Sequence, residues 1–146
     1  MEFLGEFNGA VIIDDYAHHP TEIKATLAGA RQLYPSAKLG TGKLIVVFHP
    51  HTYTRTRALL DDFAASFGDV DEVIVLDIYG SAREEQGGVH SEDLVRKLKK
   101  SEKLKVNYIP TLKECEKYLR KNVKKGDVVL LMGAGDVFRI GENLVK

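Results

Sequence analysis

The sequence predicts an α/β fold of the Rossmann-like, three-layer kind, in which a mostly parallel sheet is flanked by helices. Short runs rich in β-branched residues alternate along the chain with longer stretches whose apolar residues recur at helical spacing. The strand runs are almost entirely apolar, which is typical of strands that are buried on both faces and therefore parallel. Because 146 residues show no internal shift in composition, we expect a single domain spanning 1–146.

The predicted strands are short and are bounded by turn residues. In chain order they are residues 9–14, 43–48, 72–77, 105–109 and 127–132, with 3–7 as a further edge strand. The predicted helices lie between them, at 20–34, 55–67, 91–99, 111–123 and 136–145. Three of the helices carry start signals. These are Pro20 in a first turn, Ser91 as an N-cap, and Thr111 with Glu114 as a capping box. The two longest loops are predicted at 35–42 and 79–88.

The composition excludes several classes of protein. Lys plus Arg and Asp plus Glu both number 21, so no overall charge favours nucleic acid or an anionic membrane as a partner. Hydrophobic residues make up 44%, which is too many for a disordered tail. No apolar run is long enough for a membrane span. The single cysteine, Cys115, is expected to be a packing residue in a helix, and its isolation favours a cytoplasmic location.

Polar residues follow the predicted strands, where parallel sheets bind their ligands. Segments of this kind occupy 14–20, 49–55, 79–85 and 133–136, and they contain four of the five histidines. Asp14 and Asp15 suit either the hydroxyls of a ribose or the cap of a helix. Arg55 begins a predicted helix at its positive end, which indicates either an anionic ligand or an ion pair with Asp61 or Asp62.

Metal and phosphate-loop chemistry are not expected. The adjacent His18 and His19 lack acidic or cysteine partners at ligand spacing, as does the pair His49 and His51. The segment 40–43 reads GTGK, but a strand follows it instead of a helix, so it is not a phosphate loop. The segment 133–135 is too short for a dinucleotide fingerprint, although it suits a tight strand-to-helix turn.

Four segments carry a resemblance to a known family. They read DDYAHHPTE at 14–22, FHPHTYTRTR at 48–57, SEDL at 91–94 and GAGD at 133–136. In this order they resemble the C-terminal domain of the Mur ligases, over essentially the whole chain. The similarity is greatest to the family branch that joins L-alanine to UDP-N-acetylmuramate.

The resemblance implies a three-domain enzyme of which this chain is the third domain alone. The first domain would bind the uridine nucleotide sugar, and the central domain would carry the ATP phosphate loop and most Mg ligands. The implied function is ATP-dependent amide-bond formation through an acyl phosphate in peptidoglycan synthesis, with ATP and Mg as cofactors. ATP, L-alanine and UDP-N-acetylmuramate are the implied partners, and the isolated chain is expected to be inactive. The alternatives are a muropeptide-recycling ligase domain, a stand-alone nucleotide-binding module and an interaction domain without a ligand.

The resemblance also implies binding roles for individual residues, and no residue is assigned as catalytic. Asp15, Tyr16 and His18 correspond to ATP-binding positions. Tyr16, His51, Arg55 and Arg83 correspond to the amino-acid site, with Arg55 suited to the substrate carboxylate.

The chain departs from the family pattern at two positions of this site. Thr52 stands where some members have arginine, and His49 stands where the family often has glutamine.

Overall fold

The computed structural model describes the backbone of residues 1–146 and all side chains except that of Lys38. Strands and helices alternate, as the sequence predicts. The elements are β1 (Glu2–Phe7), β2 (Ala10–Asp15), α1 (Pro20–Leu33), α2 (Pro35–Leu39), β3 (Leu44–Phe48), α3 (Tyr53–Ala58), α4 (Leu60–Ala64), β4 (Glu72–Val75), α5 (Ser91–Leu98), β5 (Lys105–Tyr108), α6 (Leu112–Asn122), β6 (Val128–Met132) and α7 (Phe138–Leu144).

One six-stranded sheet, in the order β1-β2-β6-β3-β4-β5, forms the middle layer. All strands except β1 run parallel to one another, namely β2, β6, β3, β4 and β5. The edge strand β1 is antiparallel to its neighbour β2. The predicted fold class and edge strand are therefore confirmed. Because the parallel strands share one direction, all of their carboxyl ends reach the same edge of the sheet.

Apolar layers cover both faces of the sheet. One is formed with α1, α2, α4 and α5 and contains the aromatic side chains of Phe48, Phe63 and Phe67. The other is formed with α6 and α7 and contains Cys115, which is fully buried. Burial raises the pKa of the Cys115 thiol to about 12, so this cysteine is a packing residue, as predicted. Both layers are built from residues of this chain.

Helix α1 begins at Pro20, but its cap differs from the one considered in the sequence. The His19 ring accepts a hydrogen bond from the backbone of Thr21, and the Glu22 carboxylate accepts one from the backbone N–H of His19. Asp14 and Asp15 therefore do not cap the helix. His90 caps α5 in the same manner, one residue before the predicted Ser91. An imidazole nitrogen serves here as the capping acceptor that is usually a hydroxyl or carboxylate oxygen.

The single helix predicted at 55–67 is wrong, because two short helices occupy this region. Thr52 caps α3, and the backbone of Leu59 (φ −113°, ψ 20°) interrupts the helix before α4. Phe63 and Phe67 nevertheless pack on Phe48, each with ring centroids 5.4 Å away. The apolar spacing thus anticipated the packing although the helix is not continuous.

The loop predicted at 35–42 contains the short helix α2. It is tied to the start of β6, because Ser36 Oγ donates to the carbonyl oxygen of Gly126 over 2.6 Å. A Cβ at Gly42 would lie 1.9 Å from the same oxygen. Glycine is required at this close approach of two backbones.

Candidate functional site

The ends of three adjacent strands lie at one level. Asp15 pairs with Met132, and Met132 pairs with Phe48, as the last residues of β2, β6 and β3. The hydrogen bonding continues one residue further, from Gly133 N to the Asp15 carbonyl (3.1 Å) and from His49 N to the Met132 carbonyl (2.9 Å). The loops after these strands therefore leave the sheet side by side, as the sequence predicts.

The loop after β2 presents a carboxylate and two rings. Asp15 Oδ1 accepts from the backbone N–H of Ala17 over 2.9 Å, which fixes the carboxylate beside the sheet edge. Tyr16 is 67% exposed, and its ring meets that of His18 edge-on at 5.3 Å. His18 Nδ1 lies 3.0 Å from the Tyr16 carbonyl. Burial, followed by the charges of Glu2 and Asp15, raises the pKa of the neighbouring Asp14.

The loop after β3 and the helix α3 that follows it bring His51 and Arg55 to the same edge. Thr52 adopts a φ of 66°, a value that side chains branched at Cβ rarely take. Its N–H donates to the Tyr79 carbonyl over 2.8 Å, and its Oγ1 accepts from Arg55 N over 3.2 Å. Within the described side chains, the Arg55 guanidinium makes neither a hydrogen bond nor an ion pair. Asp61, one of the partners considered for it, pairs instead with Lys97 at 2.8 Å.

Tyr79, which the sequence analysis did not single out, lies between two imidazoles. Its ring stacks on His51 at 5.6 Å with a 15° interplanar angle, and it meets His49 edge-on at 5.5 Å. The Nδ1 atoms of both histidines are buried, and neither has a hydrogen-bond partner among the described residues. Two such polar atoms beside one ring indicate a place where a ligand would complete the hydrogen bonding.

Both imidazoles are biased toward the neutral form. Burial lowers the pKa of His49, while the charges of Asp136 and Asp77 oppose this shift in part. Burial also lowers the pKa of His51, and the nearby Arg55 cation adds to the effect. A neutral imidazole can accept a hydrogen bond as well as donate one. These rings are therefore suited to an amine or hydroxyl of a ligand.

The lowered pKa of His49 makes the stability of the chain depend on pH. The folded pKa of His49 lies below its unfolded value of 6.5, so the unfolded state takes up a proton first as the pH falls. The stabilisation is thus complete above pH 6.5 and is lost as the pH falls below it. We expect His49→Gln to lose less unfolding free energy than the wild type between about pH 7.5 and about pH 5.5, as measured by urea denaturation. Equal losses in the two proteins would contradict this assignment.

The glycine turn after β6 packs closely against the loops after β3 and β4. A Cβ at Gly133, whose φ is 149°, would lie 2.8 Å from the His49 carbonyl oxygen. At Gly135 a Cβ would lie 3.4 Å from His49 Nδ1 and 3.3 Å from the Tyr79 ring. Because Gly133 and Gly135 have no side chains, the space beside His49 stays open.

Arg83 and Arg57, the other arginines near the predicted site in the sequence, lie in different surroundings. Arg83 is exposed in the loop after β4, and its backbone N–H donates to Ser81 Oγ over 3.2 Å. Arg57 lies against Gly88, where a Cβ would be 2.5 Å from its Nη1. Arg55 is therefore the arginine that accompanies His51 at the strand ends.

Other candidate features lie away from this edge. Two clefts, of 270 and 460 Å³, lie along α4 and α5. Lys97 and Lys100 line both of them. The described His, Cys, Asp and Glu side chains form no group of three or more that could hold a metal ion. None of the helices within 1–146 has the length and apolar character needed to cross a bilayer.

A mostly parallel sheet whose strand ends carry a carboxylate, imidazoles and an arginine defines an α/β domain with a candidate ligand site at that edge. The chain belongs to the Mur ligase family, since residues 1–135 match the family described as Mur ligase, glutamate ligase domain. Two curated relatives are the UDP-N-acetylmuramate–L-alanine ligases of Acetivibrio thermocellus and Alkaliphilus metalliredigens. They are 43% and 46% identical to this chain over 100% and 99% of its length. The chain spans 30% of the length of each.

Solved structures show the same fold. A murein peptide ligase from Psychrobacter arcticus superposes with a TM-score of 0.73 at 24% identity, over 99% of this chain and 28% of that one. The MurF ligase from Thermotoga maritima, solved in complex with ADP, gives a TM-score of 0.57 at 23% identity, over 93% and 27% of the two chains.

Proposed function

We propose that this chain is the third domain of an ATP-dependent ligase that joins L-alanine to UDP-N-acetylmuramate in peptidoglycan synthesis. The observation that carries the proposal is the shared sheet edge where Asp15 ends β2 and where His51 and Arg55 follow β3, two parallel strands on either side of β6. Curated relatives with this activity, at 41–46% identity over nearly the whole chain, support the choice of reaction. The uridine nucleotide sugar and most of the ATP phosphate contacts would belong to two further domains.

The amino acid is assigned to the loop after β3. The Arg55 guanidinium presents a planar fork that can hold the alanine carboxylate through two hydrogen bonds. A neutral His51 ring, stacked on Tyr79, offers a nitrogen acceptor for the substrate amine. Arg83 is exposed in the loop after β4, and we assign it to the same amino-acid site.

The nucleotide is assigned to the loop after β2. Asp15 is held beside the strand ends and can accept hydrogen bonds from ribose hydroxyls. Tyr16 and His18 extend this surface with two rings, and the exposed face of Tyr16 is free for contact with a base or sugar. ATP therefore fits this edge. The Mg ion would neutralise the phosphates, and its ligands are assigned mainly to the central domain.

The proposed reaction sets the task of this domain. A muramoyl carboxylate oxygen attacks the γ-phosphorus of ATP, which gives an acyl phosphate and ADP. The amine of L-alanine then attacks the acyl carbon, and phosphate leaves with the electrons of the cleaved C–O bond. Because water would hydrolyse the acyl phosphate, closure of this domain over its neighbours would protect it. The residues of this chain contribute by positioning the amine and the nucleotide.

Two measurements test the proposal against its alternatives. The complete protein is expected to form UDP-N-acetylmuramoyl-L-alanine from ATP, L-alanine and UDP-N-acetylmuramate, as followed by mass spectrometry. Use of a preformed peptide in place of L-alanine would favour a recycling ligase. The 146-residue chain alone is expected to bind ATP weakly or undetectably in isothermal titration. Tight binding by the chain alone would favour a stand-alone nucleotide-binding module.

A further inference from the structure

One carboxylate outside the assigned site joins two of its loops. Glu84, in the loop after β4, accepts hydrogen bonds from the backbone N–H groups of Tyr53 (3.0 Å) and Thr54 (2.8 Å) at the start of α3. It also accepts from the Thr54 hydroxyl (2.9 Å) and from the N–H of Ser81 (2.8 Å) in its own loop. Four donors therefore converge on two oxygens, and three of them are backbone groups.

Further contacts hold the same two loops together. Thr52 N donates to the Tyr79 carbonyl, and Tyr79 N donates to the Pro50 carbonyl, each over 2.8 Å. A Cβ at Gly80 would lie 2.9 Å from the Tyr53 ring, so the ring packs directly on the loop backbone. The loop after β3 and the first part of the loop after β4 thus form one unit, and Glu84 is the charged group within it.

The carboxylate form of Glu84 is what this unit requires. Desolvation alone would raise the pKa of Glu84, but the hydrogen bonds from Ser81, Thr54 and Tyr53 outweigh it and lower the pKa to about 2. The group is therefore ionised at any pH near neutrality. An ionised carboxylate only accepts hydrogen bonds, so it can meet all four donors at once. A glutamine side chain in its place would turn an NH₂ group toward one pair of donors.

We propose that Glu84 is a positioning residue for the amino-acid substrate. By fixing the first turn of α3, it fixes the direction from which Arg55 reaches the strand ends. By fixing Ser81 and its loop, it keeps Tyr79 stacked on His51. Glu84 itself touches neither the substrate nor the reacting atoms. This role rests on the proposed function, since it assigns the amino acid to the site that Glu84 supports.

The test is Glu84→Gln in the complete ligase, with the exposed neighbour Glu85→Gln as a matched control. We expect Glu84→Gln to raise the KM for L-alanine by about 10- to 100-fold, because Arg55 and His51 lose their fixed geometry. The KM for ATP should stay within about twofold, because the nucleotide loop after β2 is untouched. Glu85→Gln should leave both KM values at the wild-type level. A general loss of folding would change both KM values together or remove activity altogether.

A second measurement follows the hydrogen bonds to Glu84, here called the Glu84 clamp, directly in the 146-residue chain. Amide hydrogen exchange at Tyr53, Thr54 and Ser81 should become at least about tenfold faster in Glu84→Gln, while exchange in the central strands stays unchanged. Unchanged exchange at these amides, or equal changes of the two KM values, would overturn the role of Glu84. If the wild-type protein itself shows no ligase activity with L-alanine, the proposed function fails instead, and the exchange result still reports whether the clamp exists.

Discussion

In the complete ligase, Arg55→Ala is expected to raise the KM for L-alanine by about 100-fold and to change the KM for ATP by less than about threefold. The difference follows from the separate positions of the two loops. Arg55 follows β3, whereas the residues assigned to the nucleotide include Asp15, which ends β2, and Tyr16, which follows it. Steady-state kinetics with each substrate varied in turn measures both values.

The expected size of the increase in the KM for L-alanine follows from the state of the Arg55 guanidinium, which is unpaired within the described part of the chain. Arg55 is the third residue of the six-residue helix α3, and no described side chain neutralises its guanidinium. A bound carboxylate would supply the missing charge through two charge-assisted hydrogen bonds. Together these are worth about 3 kcal/mol, which corresponds to about 100-fold in affinity.

Two further variants sharpen this test. Arg57→Ala removes a cation from the same helix. Because Arg57 lies against Gly88 and is assigned to neither substrate, both KM values should stay near the wild type. Arg55→Lys keeps the charge but loses the planar fork, so an intermediate KM for L-alanine is expected. Equal increases of the KM for L-alanine and ATP in Arg55→Ala would contradict the assignment of Arg55 to the amino acid.

The parts of this site that the sequence predicts are those that follow from local patterns. The apolar run of β3 ends at Phe48 in both the prediction and the structure, and the parallel sheet then brings His51 to the same edge as the loop after β2. That step needs only the topology of the sheet, because all parallel strands end at one edge. Asp15, His51 and Arg55 were therefore within reach of sequence reasoning.

The parts that sequence reasoning missed depend on contacts between loops. Tyr79 and Glu84 belong to a loop without periodicity, and their partners are about 30 residues away along the chain. No local pattern distinguishes Glu84 from the adjacent Glu85. The break at Leu59 was missed for a related reason, since apolar spacing records which residues face the core and not whether the backbone between them stays helical.

The second large effect concerns stability. Phe48→Ala in the 146-residue chain is expected to lower the free energy of unfolding by about 3–5 kcal/mol, as measured by urea denaturation. Phe48 is fully buried, and its ring is packed between those of Phe63 and Phe67. Its removal would leave a cavity that the central strand β3 cannot close by moving, because β3 is bonded on both sides. A domain of this size is stable by only about 5–15 kcal/mol, so the loss would be a large share of the total.

Phe3→Ala provides the matched control, because Phe3 lies on the edge strand β1 and is 60% exposed. Its loss should change the free energy of unfolding by no more than about 0.5 kcal/mol. The comparison also bears on function, since Phe48 is the last residue of β3 and directly precedes His49. The core residue that anchors the strand thus also sets where the loop with His51 and Arg55 begins. Equal effects of Phe48→Ala and Phe3→Ala would mean that the aromatic cluster does not hold the sheet, and that the site edge rests on other contacts.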